Sequence, residues 1–139
     1  MKTELRILIV EDEQSILEMI KEAVIKVLEA YKDFITIDLD GAKIFKDALN
    51  KINNKYYDVI FLDHNLPESS EAERPQKVGY KLIQTIRERN EHTIIIGTSS
   101  QNEEIGDRFG KLDYSVTKNY SKEIGAQLSK IIEEFKKRN

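Results

Sequence analysis

The sequence of 139 residues has no cysteine, no apolar run of membrane-spanning length and no excess of basic side chains. The lack of cysteine excludes disulfides and thiolate metal sites and is typical of an intracellular protein. The apolar run near the N-terminus is too short for a signal peptide and ends at acidic residues. The net charge is -3, which argues against nucleic-acid binding by bulk charge. We therefore expect a cytoplasmic protein that binds no membrane and contacts no nucleic acid directly.

Two periodicities alternate along the chain, whose length is usual for one domain, and we expect residues 1–139 to form that domain. Short apolar runs rich in β-branched or aromatic side chains predict five strands, at residues 7–10, 34–39, 59–62, 94–96 and, more weakly, 114–117. Apolar side chains at helical spacing predict helices at residues 16–31, 44–52, 82–86, 102–109 and 124–135, of which 102–109 is the weakest. This alternation predicts a doubly wound α/β domain, a parallel sheet with helices on both faces.

One segment, residues 68–78 with the sequence ESSEAERPQKV, fits neither pattern. It is polar and contains Pro75, so it is predicted to be an extended exposed loop. We expect an exposed insertion rather than a binding element.

Polar side chains follow four of the five predicted strands. The carboxyl ends of parallel strands share one edge, where open α/β sheets bind their ligands. The residues that follow are Glu11, Asp12 and Glu13 after the first strand, Asp63 after the third, Thr98, Ser99 and Ser100 after the fourth, and Lys118 after the fifth. We therefore expect three carboxylates, a hydroxyl and an ammonium to converge there, those of Glu11, Asp12, Asp63, Thr98 and Lys118.

The cluster of Glu11, Asp12 and Asp63 repels itself unless a cation is present. Mg²⁺ prefers oxygen ligands of this kind, together with phosphate oxygens. A carboxylate beside a metal can act as a nucleophile and take up a phosphoryl group as an aspartyl phosphate. Thr98 and Lys118 are suited to stabilise the charge on the transferred group.

Each of these residues has a simpler explanation by itself. Glu11, Asp12 and Glu13 could complement the dipole of the first helix, Thr98 and Ser99 could cap another helix, and Lys118 could be a surface lysine. Only their joint position at one sheet edge favours a site. His64 and His92 have no spacing typical of metal ligands, and we expect solvated or loop histidines.

Four motifs in this order, ILIVEDE, DVIFLDHNLP, IIIGTSS and VTKNY, resemble the receiver domain of two-component response regulators, in the single-domain, chemotaxis-regulator-like form. The resemblance implies a flavodoxin-like sheet with strand order 2-1-3-4-5. It also implies a phosphoryl group taken from a phosphohistidine on a sensor histidine kinase or phosphotransfer protein. By this resemblance Asp63 is the phosphoacceptor. The implied Mg²⁺ ligands are Glu11, Asp12, Asp63 and the backbone carbonyl of Asn65. Thr98, Ser99 and Lys118 are implied to stabilise the phosphoryl group or to act in the switch.

The sequence departs from that family in three places. Three residues before Lys118 the family has an aromatic side chain, but here Ser115 stands there and Tyr114 lies on the other strand face. Asn119 replaces a proline that often has a cis peptide, so we expect a trans bond or a rebuilt turn. Gly79 matches a glycine that in the family follows more closely after the proline.

The expected function is that of a phosphorylation-controlled response regulator, which is not an enzyme beyond self-phosphorylation and autodephosphorylation at Asp63. With no output domain after the last helix, it would signal through a downstream protein.

The expected docking face is formed by the fourth helix, the fifth strand and the start of the fifth helix, with Tyr114 and Tyr120 as aromatic anchors. The rival docking face is the loop at 68–78. Two alternatives remain: a pseudo-receiver that binds without being phosphorylated, and a haloacid-dehalogenase-like phosphatase, which needs an acid where Asn65 stands.

Overall fold

The computed structural model describes residues 2–99, 108–116 and 121–138. No helix among them is long and apolar enough to span a bilayer. The elements, in chain order, are β1 (Thr3–Val10), α1 (Gln14–Glu29), β2 (Ile35–Ala42), α2 (Phe45–Asn54), β3 (Val59–Leu62), β4 (Asn65–Leu66), β5 (Gln76–Lys77), the 3-10 helix η1 (Gly79–Lys81), α3 (Leu82–Arg89), β6 (Ile94–Gly97), β7 (Tyr114–Ser115) and α4 (Ser121–Arg138).

Five strands form one parallel sheet in the order β2-β1-β3-β6-β7. The order confirms the predicted 2-1-3-4-5 topology, because β4 and β5 form a separate small sheet. β1 lies inside the sheet and pairs with β2 over all eight of its residues. The carboxyl ends of β1 and β3 meet where Val10 pairs with Leu62, which places the residues that follow these strands side by side.

The core has two layers because side chains alternate across each strand. Burial of each large aliphatic side chain contributes about 1.5–3 kcal/mol, so both layers stabilise the sheet. The layer under α1 and α4 includes Ile7, Ile9, Phe61, Ile96, Leu17, Ile20, Leu128 and Ile132. The layer under α2 and α3 includes Leu8, Val10, Ile60, Leu62, Ile95, Ala48, Leu82 and Ile86.

The predicted helix at 102–109 lies mostly outside the described residues. Its last two positions are not helical: Arg108 and Gly110 form an isolated bridge around Phe109. Gly110 has a φ of 118°, and a Cβ atom there would lie 2.8 Å from Cγ2 of Ile83. Only glycine fits this turn without strain.

The predicted loop at 68–78 contains more structure than the sequence indicated. Asn65–Leu66 and Gln76–Lys77 pair as an antiparallel hairpin, so residues 76 and 77 are a strand rather than loop. Residues 68–77 are exposed, but Val78 is buried. The carbonyls of Pro67 and Glu68 accept the N–H groups of Phe45 and Lys46, each at 2.9 Å, and so cap the first turn of α2.

Candidate functional site

Three acidic side chains converge at the carboxyl edge of the sheet. Glu11 follows β1, and the N–H of Asp63, just after β3, donates to the carbonyl of Val10 at 3.1 Å. One carboxylate oxygen from each of Glu11, Asp12 and Asp63 lies within 4.8 Å of the other two. Glu11 and Asp63 are fully buried, whereas Asp12 is half-buried and brings the cluster to the surface.

Backbone N–H groups hold two of these carboxylates in place. Glu13 donates to Oε2 of Glu11 at 3.2 Å, and Asn65 donates to Oδ1 of Asp63 at 3.4 Å. Glu13 is the residue before α1, and its own side chain makes no capping hydrogen bond. Clustered carboxylate oxygens with one side open to solvent fit a hard divalent cation such as Mg²⁺.

Gly79 allows the chain to return closely to Asp63 after the hairpin. A Cβ atom at this position would lie 1.9 Å from the carbonyl oxygen of Asp63 and 3.0 Å from Cα of His64. The N–H groups of Val78 and Gly79 both donate to the carbonyl of His64, at 3.0 and 2.8 Å. The start of η1 is therefore fixed to the loop that carries Asp63.

Thr98 and Ser99 follow β6, next to Asp63. The N–H of Thr98 donates to the carbonyl of Leu62 at 3.0 Å, and both Thr98 and Ser99 are buried. The Thr98 hydroxyl has no hydrogen-bond partner among the residues that the structure describes. A buried hydroxyl in this state can donate to a negatively charged oxygen that enters the site.

The described part of the fifth strand, residues 114–116, supplies no aromatic ring to this edge. Ser115 is exposed, and Tyr114 packs against the core layer under α1 and α4, with Nζ of Lys130 5.7 Å from its ring centroid. Lys118 and Tyr120 lie outside the described residues, as do Ser100 and Asn119.

His64, expected to be a solvated or loop residue, is instead buried with only 2% of its surface exposed. Its ring lies 4.7 Å from the Tyr80 ring and 5.0 Å from the Phe109 ring, centroid to centroid. Its Nδ1 accepts the N–H of Tyr80 at 3.0 Å. This acceptor role places the proton of the neutral ring on Nε2. His92 is exposed, as expected.

Burial lowers the pKa of the His64 imidazole below its usual value, although the carboxylate of Asp63 acts in the opposite direction. Lys77, Lys81 and Arg108 lower this pKa further. The neutral form that accepts from Tyr80 is therefore the favoured one.

Tyr80 is the residue near the site that sequence reasoning missed. It is 1% exposed, and its hydroxyl oxygen accepts the N–H of Ser99 at 3.4 Å. Burial, and then the charge of Asp63, raise the pKa of its phenol. The only signal in the sequence was its position directly after Gly79.

The parallel five-stranded sheet, with an acidic cluster at its carboxyl edge, defines a flavodoxin-like α/β domain with a candidate metal site. The family described as the response regulator receiver domain matches residues 7–133. The chain belongs to this family, whose members bind Mg²⁺ in the acidic site and work in two-component systems.

Solved structures share the fold at low sequence identity. A CheY-like receiver domain protein from Methanospirillum hungatei has a TM-score of 0.67 and 17% identity, covering 99% of this chain and 100% of that one. The receiver domain of a sensor histidine kinase from Pseudomonas aeruginosa, described with magnesium in its active-site cleft, has a TM-score of 0.64 and 20% identity, covering 95% and 97%. A non-phosphorylated receiver domain from Leptospira biflexa has a TM-score of 0.63 and 22% identity, covering 92% and 94%. The comparison with curated proteins gives no match.

Proposed function

We propose that residues 1–139 form one cytoplasmic receiver domain, in which Asp63 accepts a phosphoryl group from a sensor histidine kinase or phosphotransfer protein. The phosphorylated form then binds a downstream protein. The observation that carries the proposal is the meeting of Glu11, Asp12 and Asp63 within 4.8 Å, beside the buried hydroxyl of Thr98.

The residues at this sheet edge, together with Lys118 from outside the described part of the chain, would supply the chemistry of phosphoryl transfer. Glu11, Asp12 and Asp63, with the carbonyl of Asn65, would hold Mg²⁺, which neutralises the carboxylates and the phosphoryl oxygens when bound. An Asp63 carboxylate oxygen forms the new bond to phosphorus while the bond from phosphorus to the donor nitrogen breaks. The Thr98 hydroxyl then donates to a phosphoryl oxygen, and Lys118 pairs with the same group.

Residue 65 separates this proposal from a phosphatase of the haloacid-dehalogenase type. Such an enzyme needs a second acid two residues after the nucleophile, to protonate the leaving group. Asn65 stands at that position and cannot transfer a proton in this way. We infer that the only covalent chemistry is gain and loss of the phosphoryl group at Asp63.

The docking face at the fourth helix, the fifth strand and the start of the fifth helix stays a prediction. Of its two aromatic anchors, Tyr114 packs largely against the core and Tyr120 lies outside the described residues. The rival face, residues 68–78, is exposed except for Val78, which is buried.

The test is incubation with Mg²⁺ and acetyl phosphate, followed by intact mass measurement. We expect the wild type to gain the mass of one phosphoryl group and Asp63→Asn to gain none. Asp58→Asn is the matched control, because Asp58 directly precedes the strand that Asp63 directly follows; we expect it to be phosphorylated. A wild-type mass unchanged at saturating donor and Mg²⁺ would contradict the proposal and favour the pseudo-receiver.

A further inference from the structure

Tyr80 connects the loop after β3 to the loop after β6. Its N–H donates to Nδ1 of His64 at 3.0 Å, and its hydroxyl oxygen accepts the N–H of Ser99 at 3.4 Å. Thr98 and Ser99 share one rigid peptide plane, so the N–H that Tyr80 holds moves whenever the carbonyl end of Thr98 moves. The phenol therefore restrains the backbone beside the hydroxyl proposed to bind the phosphoryl group.

His64 contacts Phe109, in the next described stretch of the chain. Its ring lies 5.0 Å from the ring of Phe109, and 4.7 Å from the ring of Tyr80. Tyr80 thus contacts Ser99, and His64 contacts both Tyr80 and Phe109. We call His64 and Tyr80 together the clamp.

The clamp cannot move independently of Asp63. The carbonyl of His64 accepts two N–H groups, from Val78 and Gly79, and its ring accepts a third, from Tyr80. Gly79 lies so close to the carbonyl of Asp63 that no side-chain atom fits between them. The position of the Tyr80 hydroxyl is therefore set by the phosphoacceptor loop.

The bond from Ser99 to Tyr80 is weak enough to be exchanged for another. At 3.4 Å it is longer than the usual 2.7–3.2 Å of an N–H···O bond. On the same loop, the buried Thr98 hydroxyl has no partner among the described residues. A move of Thr98 toward a phosphoryl group would form a stronger, charge-assisted bond in place of the weak one.

We propose that His64 and Tyr80 are positioning residues, which hold Thr98 and Ser99 in a resting position that phosphorylation of Asp63 releases. The clamp takes the place of the aromatic side chain that β7 lacks at the exposed Ser115. This inference rests on the proposed function, because it requires a phosphoryl group at Asp63.

The test measures the affinity for beryllofluoride with Mg²⁺, a noncovalent mimic of the phosphoryl group, by titration calorimetry. Tyr80→Phe removes the hydroxyl and keeps the ring. Because the resting position loses the hydrogen bond from Ser99, we expect this variant to bind about threefold to tenfold more tightly than the wild type. A merely structural role would give weaker binding, since loosening the fold disorders the site.

Tyr57→Phe is the matched control. Tyr57 is also buried, but its hydroxyl donates to Asp40 at 2.6 Å, and it precedes β3 rather than following it. We expect this variant to lose stability and to keep the wild-type affinity. A second clamp variant, Phe109→Leu, removes the ring contact to His64 and should also tighten binding.

The outcomes distinguish a failure of the clamp from a failure of the proposed phosphoacceptor function. If the wild type binds beryllofluoride and Tyr80→Phe binds equally or more weakly, the clamp is wrong and the proposed function stands. If Phe109→Leu alone fails to tighten binding, the part assigned to His64 is wrong. If the wild type neither binds beryllofluoride nor gains a phosphoryl group, the proposed function fails and the clamp fails with it.

Discussion

Gly79 lies against the backbone of the Asp63 loop, and this contact leaves no room for a side chain. An added Cβ atom would meet the Asp63 carbonyl oxygen at 1.9 Å and its carbon at 2.9 Å. Both are backbone atoms, which cannot rotate away as a flexible side chain can. Any larger residue must therefore displace η1 or the phosphoacceptor loop.

At Gly79 we predict that alanine lowers the free energy of unfolding by about 3 kcal/mol or more, because overpacking against backbone forces a shift of structure. Gly41→Ala is the control, since its Cβ atom would meet Leu17 at 3.5 Å, an ordinary contact, and its cost should be within about 1 kcal/mol of zero. Urea denaturation of both variants measures the difference. Equal stability of the two variants would contradict the contact described here.

Single residues of the site were predictable only where the strand pattern positions them. Glu11 and Asp63 each follow an apolar run directly, and Asp12 follows Glu11, so the sheet edge brings them together. His64 comes only one residue later, yet its burial depends on the hairpin, which returns the chain to it at Val78 and Tyr80. No local periodicity encodes such a return.

At the scale of elements, the short strand β7 is held by a side chain from α3. The Arg87 guanidinium donates to the carbonyl of Lys111 at 3.0 Å and to Oδ2 of Asp113 at 2.7 Å. The same carboxylate oxygen accepts the N–H of Ile95, a residue of β6, at 2.8 Å. Arg87 thus joins the end of α3 to the chain that enters β7.

Replacement of Arg87 by lysine should loosen β7. Lysine keeps the charge but lacks the planar fork that reaches several acceptors at once, so we expect a loss of about 1–2 kcal/mol. Hydrogen exchange should be faster at residues 113–116 than in the wild type. Arg74→Lys, at an exposed position in the hairpin loop, is the control and should leave the exchange unchanged. Unaltered exchange at 113–116 in Arg87→Lys would refute the bridging role.

The order and type of the main elements were predictable because alternating strands and helices admit few topologies. The ends of the elements were less predictable. β2 extends to Ala42, beyond the last apolar residue of its predicted run, because β1 offers partners along its whole length. The hairpin of β4 and β5 was missed, since two residues per strand are too few to show a period.

At the scale of the whole molecule, the acidic site couples the fold to any cation that binds there. Two fully buried carboxylates lie with a third within 4.8 Å, an arrangement of like charges that a bound cation would favour. A ligand that binds only the native state stabilises it by RT ln(1 + c/Kd), where c is the free ligand concentration. The stability of the fold should therefore depend on the concentration of Mg²⁺.

We predict that millimolar Mg²⁺ raises the melting temperature of the wild type by several degrees, since a concentration ten times Kd contributes about 1.4 kcal/mol. Asp12→Ala should not respond, and without metal it should be at least as stable as the wild type, because one repelling charge is gone. Asp47→Ala, at an exposed position in the first turn of α2, should respond as the wild type does. A wild-type melting temperature that does not change with Mg²⁺ would argue against the metal site.

β2 forms an outer edge of the sheet and is eight residues long. An edge strand of this length is a template on which another chain can add, which is a route to aggregation. Asp38 and Asp40 lie two residues apart on this strand, and both pair with Lys55, at 2.6 and 2.9 Å. A chain that added to β2 would have to desolvate these charges. The ion pairs that connect β2 to the residue after α2 therefore also oppose self-association at this edge.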